Sequence, residues 1–299
     1  MLGHKLMQLL PDKYDVTGTV RRSATFYERY RLFKAERLIG GVDVNDFDTV
    51  KKVLSRVQPH FVINCVGVIK QLEAANDALV AISVNSLFPQ RLAGLCRATG
   101  VRLIHISTDC VYSGGKGMYK EADVSDATDL YGRTKFLGEV SGTNCLTLRT
   151  SIVGRELESE NGLIEWFLRA DQKEVRGFRR AIYTGLSTIA FVRVLELVIE
   201  ASRELTGVYH VSSDPINKYD LLLLVRDAFG VSTKIVPADT PAIDRSLDSR
   251  YFRQEMSYTP PSWVDMIEEM AADVTPYSTW HRPRGGSGIP PSEKAELVS

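Results

Sequence analysis

Between residues 14 and 152 the chain repeats one alternation: a short run of β-branched and aliphatic residues, then a longer amphipathic stretch. The strand candidates read "YDVTGTV", "ERLIGGVDV", "HFVINCVGV", "VRLIHIST" and "NCLTLRTSIV". Runs that are apolar on both faces belong in a sheet covered on both sides, and strands joined by helical crossovers run parallel. The pattern predicts an α/β fold: a Rossmann-like, doubly wound parallel sheet. In such a sheet ligands sit in the crevice at the carboxyl ends of the strands. The functional signal is therefore sought in the residues just after each strand.

A second, looser alternation follows. "TIAFVRVLELVIEAS", "GVYHVSS", "KYDLLLLVRDAFG" and "STKIVPA" read as helix, strand, helix, strand, enough for a smaller lobe. We expect a dinucleotide-binding domain over 1–155, a substrate lobe over 156–274 with chain exchange between the lobes allowed, and a mobile tail over 275–299, which is rich in Pro, Gly and Ser. Lys plus Arg and Asp plus Glu number 37 each, and no basic stripe stands out, so nucleic acid is not an expected partner. The four cysteines lack C-x-x-C spacing; neither a disulfide framework nor a metal site is expected, and the compartment reads as cytoplasmic. No run stands out as the roughly 18 to 20 apolar residues of a membrane span.

The most informative segment is "ISTDCVYSGGKGMYKEADVSDATDLYGRTKFLGE". A strand ends in Ser107-Thr108-Asp109, a glycine-rich loop expected to be mobile follows, and a helix then carries Tyr131 and Lys135. Four residues apart, these two share a helix face. A free tyrosine has a pKa of about 10. A lysine cation beside it is expected to lower that value and make the pair a general acid or base. The Thr108 hydroxyl would hold a carbonyl oxygen where charge develops. In an arbitrary helix the same spacing is a packed aromatic and a solvated lysine.

The order "STD", glycine-rich loop, "YGRTK", "LTLRTS" resembles the extended short-chain dehydrogenase/reductase superfamily, and within it the dTDP-4-dehydrorhamnose reductase branch. The resemblance implies an NAD(P)-dependent reductase of a nucleotide-linked 4-keto-6-deoxysugar, serving surface polysaccharide synthesis, with Thr108, Tyr131 and Lys135 catalytic. It places Asp109 beside the sugar and Arg245 against the nucleotide of the substrate. Cys65, Val66 and Gly67 of "NCVG" match the turn lining the dinucleotide, Asn85 the helix asparagine supporting the site, and Asp43-Val44 the pair at the adenine. Arg21 and Arg22, with no acidic residue nearby, favour NADP(H) over NAD(H). A nucleotide-sugar partner is implied and a homodimer allowed. An epimerase uses the same Tyr and Lys, and a non-catalytic, partner-binding relative resembling the methionine adenosyltransferase regulatory subunit is the reading of another class. A 4,6-dehydratase fits less well, because Cys110 stands where such enzymes carry Glu.

The branch writes the second half of its phosphate-binding turn as Gly-Met-Leu-Gly. Met1-Leu2-Gly3-His4 matches it from the methionine onward, which puts Gly3 and His4 in the cofactor set. We expect the first strand and two glycines of that motif to be missing from this sequence.

Overall fold

The computed structural model describes residues 1–72, 75–169, 174–201 and 205–280. Four parallel strands form its central sheet, in the order β10 (Gly207–His210), β5 (Cys145–Thr150), β4 (Arg102–Thr108), β3 (Phe61–Asn64). β1 (Gly18–Thr19) and β2 (Leu38–Ile39) pair with each other in a separate two-stranded parallel sheet. Each apolar run of the sequence thus contributes a strand.

Alternate residues of β4 and β5 feed opposite faces, as a two-sided sheet requires. Leu103 and Cys145 pack with Phe47 and Leu54 of α3 (Phe47–Val57) and with Leu92 and Cys96 of α5 (Phe88–Thr99). Ile104, Leu146 and Leu148 belong to the larger core on the other face. That core takes Leu2 and Leu6 of α1 (Leu2–Leu9), Leu195 of α8 (Thr188–Glu200), Leu221 and Val225 of α9 (Lys218–Phe229) and Trp263 of α11 (Trp263–Ala271). One apolar core therefore runs across residue 155. The chain leaves the central sheet after β5, builds the small sheets, and returns in β10 to pair with β5.

The outer lobe holds a three-stranded sheet in the order β11 (Ile216–Asn217), β8 (Ala181–Tyr183), β13 (Ile243–Asp244), and a pair of β12 (Lys234–Ala238) with β7 (Glu174–Phe178). Three expectations change. The glycine-rich loop is clasped rather than loose: Asp244 N–H donates to Gly114 O (2.8 Å), Tyr119 N–H to Ser246 O (2.8 Å) and Asp248 N–H to Tyr119 O (2.7 Å). Tyr119 is buried and stacks on Tyr112. The tail expected from residue 275 begins as ordered chain, because Tyr277 packs at 1 % exposure and accepts a place beside His4; residues 281–299 lie outside the described residues. Finally, Ala78–Thr99 is one 22-residue helical run, long and apolar enough to cross a membrane. Asn85, Gln90, Arg91 and Arg97 interrupt it in sequence, and half of it is buried inside the protein.

Candidate active site

Thr108 ends β4 and caps the tight turn 109–111. Its Oγ1 accepts from Cys110 N–H and donates to Asp109 Oδ1, both at 3.1 Å. α6 (Leu130–Leu137) starts on Asp129, whose carboxylate accepts the Gly132 N–H at 2.7 Å, an ordinary N-cap. Lys70 lies 3.6 Å from the same carboxylate. Two glycines set how closely α6 approaches. A Cβ on Gly132 would fall 2.2 Å from the Cys110 carbonyl oxygen, and one on Gly138 1.9 Å from that of Asn85. Only glycine lets the helix press against both segments, and this brings Tyr131 onto the Thr108 turn.

The Tyr131 phenol lies beside the Thr108 hydroxyl. Burial, then the charges of Cys110 and Asp109, push its pKa above the ordinary phenol value, and the Thr108 hydroxyl only partly offsets them. This reverses the expected lowering. Lys135 is not among the leading causes of this shift, and its ammonium donates to the Ile106 carbonyl, 2.8 Å away. Burial lowers the Lys135 ammonium to about 8, opposed by the Glu139 carboxylate. A tyrosine held protonated at neutral pH is a proton donor, which suits reduction of a ketone.

Cys65, Val66 and Gly67 follow β3 and are exposed at its carboxyl end. Asn64, by contrast, is buried: its Oδ1 accepts Val66 N–H at 3.0 Å and its amide contacts His105 Nδ1 at 3.0 Å. Asn85, in a π-helical stretch (Ile82–Leu87), grips the next residue from both sides. Its Oδ1 accepts Val68 N–H at 2.8 Å and its Nδ2 donates to Val68 O at 3.1 Å. Asn85 thus shapes the loop. π-Bulges often mark functional sites.

This loop and Lys135 fit a nicotinamide riboside. A Cβ on Gly67 would lie 3.4 Å from Asn85 Oδ1 and 3.9 Å from Lys135 Nζ, so the bare backbone leaves room for a ligand beside an ammonium with two donors to spare.

The residues expected toward the phosphates and adenine are arranged differently. Gly3 lies in the first turn of α1 with nothing within 4 Å of its Cβ position. The His4 side chain faces the core, with Nε2 2.8 Å from the Tyr277 hydroxyl. Asp43 accepts the Asn45 N–H at 2.9 Å in a local turn, while Asp46 caps α3. Val44 packs against two apolar clusters. Arg21 and Arg22 are both exposed; Arg22 reaches Glu158 at 3.3 Å and lies over the Phe26 ring at 4.2 Å.

From the outer lobe, Arg245 donates from Nε to Tyr112 O at 2.9 Å, and its charge acts on buried Asp109. Burial nonetheless raises the Asp109 carboxyl above its usual range. Tyr183 and Lys218, which the sequence reading passed over, act on the same turn: the charges of Asp109 and Cys110 reach both. Their signal lies in strand register. Ile216 of β11 opposes Tyr183, and Asp244 of β13 opposes Ile182, so Lys218 and Arg245 extend the rows on the face that carries Ala181 and Tyr183. No sequence period shows this, because Tyr183 ends β8, Lys218 begins α9 just after β11, and Arg245 follows β13.

Behind the site, Arg149 and Glu139 form a buried bidentate pair at 2.7 Å, and Ser107 donates to Glu139 at 2.7 Å. Arg149 also donates to Tyr112 Oη at 2.6 Å.

The geometry agrees with what comparison finds. The chain is 25% identical over 258 residues to dTDP-4-dehydrorhamnose reductase of Aggregatibacter actinomycetemcomitans, covering 77% of this chain and 87% of that protein. The crystal structure of dTDP-4-dehydrorhamnose reductase from Bacillus anthracis in complex with NADP shares its fold, with a TM-score of 0.70 and 19% identity over 87% of this chain and 99% of that one. The Bordetella bronchiseptica enzyme WbmG in complex with NAD matches with a TM-score of 0.73 and 20% identity, over 91% of this chain and 90% of that one. The family described as the RmlD substrate binding domain matches residues 1–275. The chain belongs to that family.

Proposed function

We propose that this protein is an NADPH-dependent reductase of a nucleotide-linked 4-keto-6-deoxysugar, in surface polysaccharide precursor synthesis. The observation that carries the proposal is the meeting of Thr108, Tyr131 and Lys135 at the carboxyl end of β4, beside the exposed loop after β3. When bound, the nicotinamide supplies the hydride for the keto carbon. Tyr131 Oη gives its proton to the sugar oxygen; its raised pKa keeps that proton in place at neutral pH until charge develops. Thr108 orients the phenol. Lys135 holds the ribose hydroxyls, and Gly67 lets the ring approach. Asp109 borders the sugar, and Arg245 the nucleotide. The same reading places the enzyme in the cytoplasm, off the membrane, as a homodimer without a nucleic-acid partner.

The test is turnover of dTDP-4-keto-6-deoxyglucose with NADPH or NADH, following cofactor oxidation and the sugar product separately. Coupled oxidation and reduction of the sugar support the proposal. Isomerised keto-sugar without net oxidation would make the protein an epimerase. Failure to bind either cofactor or sugar nucleotide would move the partner-binding reading to the front.

A further inference from the structure

Tyr183 ends β8 and is followed by Thr184-Gly185, a segment held firmly in place. Ser213 N–H donates to Thr184 O at 2.9 Å and Ser213 Oγ to Gly185 O at 2.6 Å, while Leu247 N–H donates to Thr184 Oγ1 at 3.0 Å. The phenol folds back over Gly185. A Cβ there would fall 2.0 Å from Tyr183 Oη, so glycine makes the seat for the ring. Trp263 packs against the ring, with centroids 5.4 Å apart.

The ring is thus fixed, yet its hydroxyl is shielded from solvent without a hydrogen-bond partner of good geometry. Buried polar groups in folded proteins are nearly always paired, and the exceptions gather where a ligand completes the set. Ser151 lies beside it, and the charges of Asp109 and Cys110 reach it. Asp109 and Cys110 also border Tyr131. The unpaired hydroxyl therefore lies at the reacting end of the crevice.

Resting on the reductase reading, we infer that Tyr183 is a specificity-determining residue whose phenol hydrogen-bonds the hexose ring of the substrate. A neutral donor and acceptor suits a sugar hydroxyl. The diphosphate is better matched by the cations that share its wall, Lys218 and Arg245. A structural role for the hydroxyl, through Ser151, is the competing account.

The experiment uses Tyr183→Phe, which keeps the ring and removes the hydroxyl, and Gly185→Ala, which keeps the hydroxyl and displaces it. Turnover of dTDP-4-keto-6-deoxyglucose is measured alongside calorimetric binding of dTDP-glucose and of dTDP alone. We expect KM to rise about tenfold in both variants with kcat within about threefold, weaker dTDP-glucose binding, and unchanged dTDP binding. Equal weakening of dTDP, or unchanged KM with a lowered Tm, overturns the inference. If the parent protein binds and turns over no sugar nucleotide, the reductase reading fails and takes this one with it. If only the variants behave like the parent, the reductase reading stands and Tyr183 is structural.

Discussion

The two ends of the crevice are built by different means. At the end we assign to the nicotinamide, Thr108 and Lys135 are buried, each bonded to a main-chain or side-chain partner, and α6 is seated by two glycines with no room for a methyl group. At the end we assign to the adenine, Arg21 and Arg22 are exposed and the Asp43 carboxylate accepts from its own local turn. Preorganisation matters most where charge develops in a transition state, because fixed groups there need not be reordered during the reaction. Binding an adenosine needs less. The difference predicts large, all-or-none effects at one end and graded effects at the other.

The largest test of that contrast is Tyr131→Phe. The ring stays and only the proton is lost, so the fold should be unaffected while kcat falls about 10³-fold, roughly 4 kcal/mol in the barrier. NADPH binding should hold within about threefold. A fall of less than tenfold in kcat would mean that the proton comes from elsewhere, and the contrast between the two ends would collapse.

How much of this was legible in the sequence follows the same division. The strands and the Thr108, Tyr131, Lys135 set could be read because each rests on local pattern: apolar runs, or a Tyr and Lys one helical turn apart. The direction of the Tyr131 shift was not legible. Spacing puts Lys135 on the same face, but the ammonium bonds the Ile106 carbonyl of a strand 29 residues earlier in the chain. Tyr183 and Lys218 were missed for a related reason, since register between short strands distant in sequence brings them together. The inward turn of the His4 side chain is equally hidden, because the fingerprint specifies a residue type but not which way a helix turns once Tyr277 packs against it.

Lys135 gives the intermediate test. Burial lowers its ammonium to about 8 from 10.5, so it loses its proton as pH rises through that value. In the unliganded protein the unfolded chain binds more protons between those two values, and stability contributed at this site therefore rises with pH across that window. Cofactor binding should run the opposite way. A ribose held by the charged form is bound fully below about pH 8 and about tenfold more weakly well above it. NADPH titration across that range should show the break, and Lys135→Met should remove it and weaken binding at neutral pH. A parent profile that is flat through pH 8 would leave Lys135 as a strut for Ile106.

The smallest effect belongs to the adenine end, and it decides between NADPH and NADH. The Arg22 guanidinium is half exposed, shared with Glu158 at 3.3 Å and stacked over Phe26. An exposed ion pair is worth about 0.2–1 kcal/mol, up to about fivefold in affinity. If Arg22 meets a 2′-phosphate, the carboxylate competes with the ligand for it. Arg22→Ala should then weaken NADPH by up to about fivefold and leave NADH alone, whereas Glu158→Gln should tighten NADPH by a similar factor. Opposite signs from two residues on one pair are what separate ligand contact from general surface charge, since each change alone also alters the local potential. Added salt should shrink both effects together, because exposed charges are screened. If NADPH and NADH respond equally to both substitutions, Arg22 serves only Glu158 and Phe26, and the cofactor preference must be set by another residue.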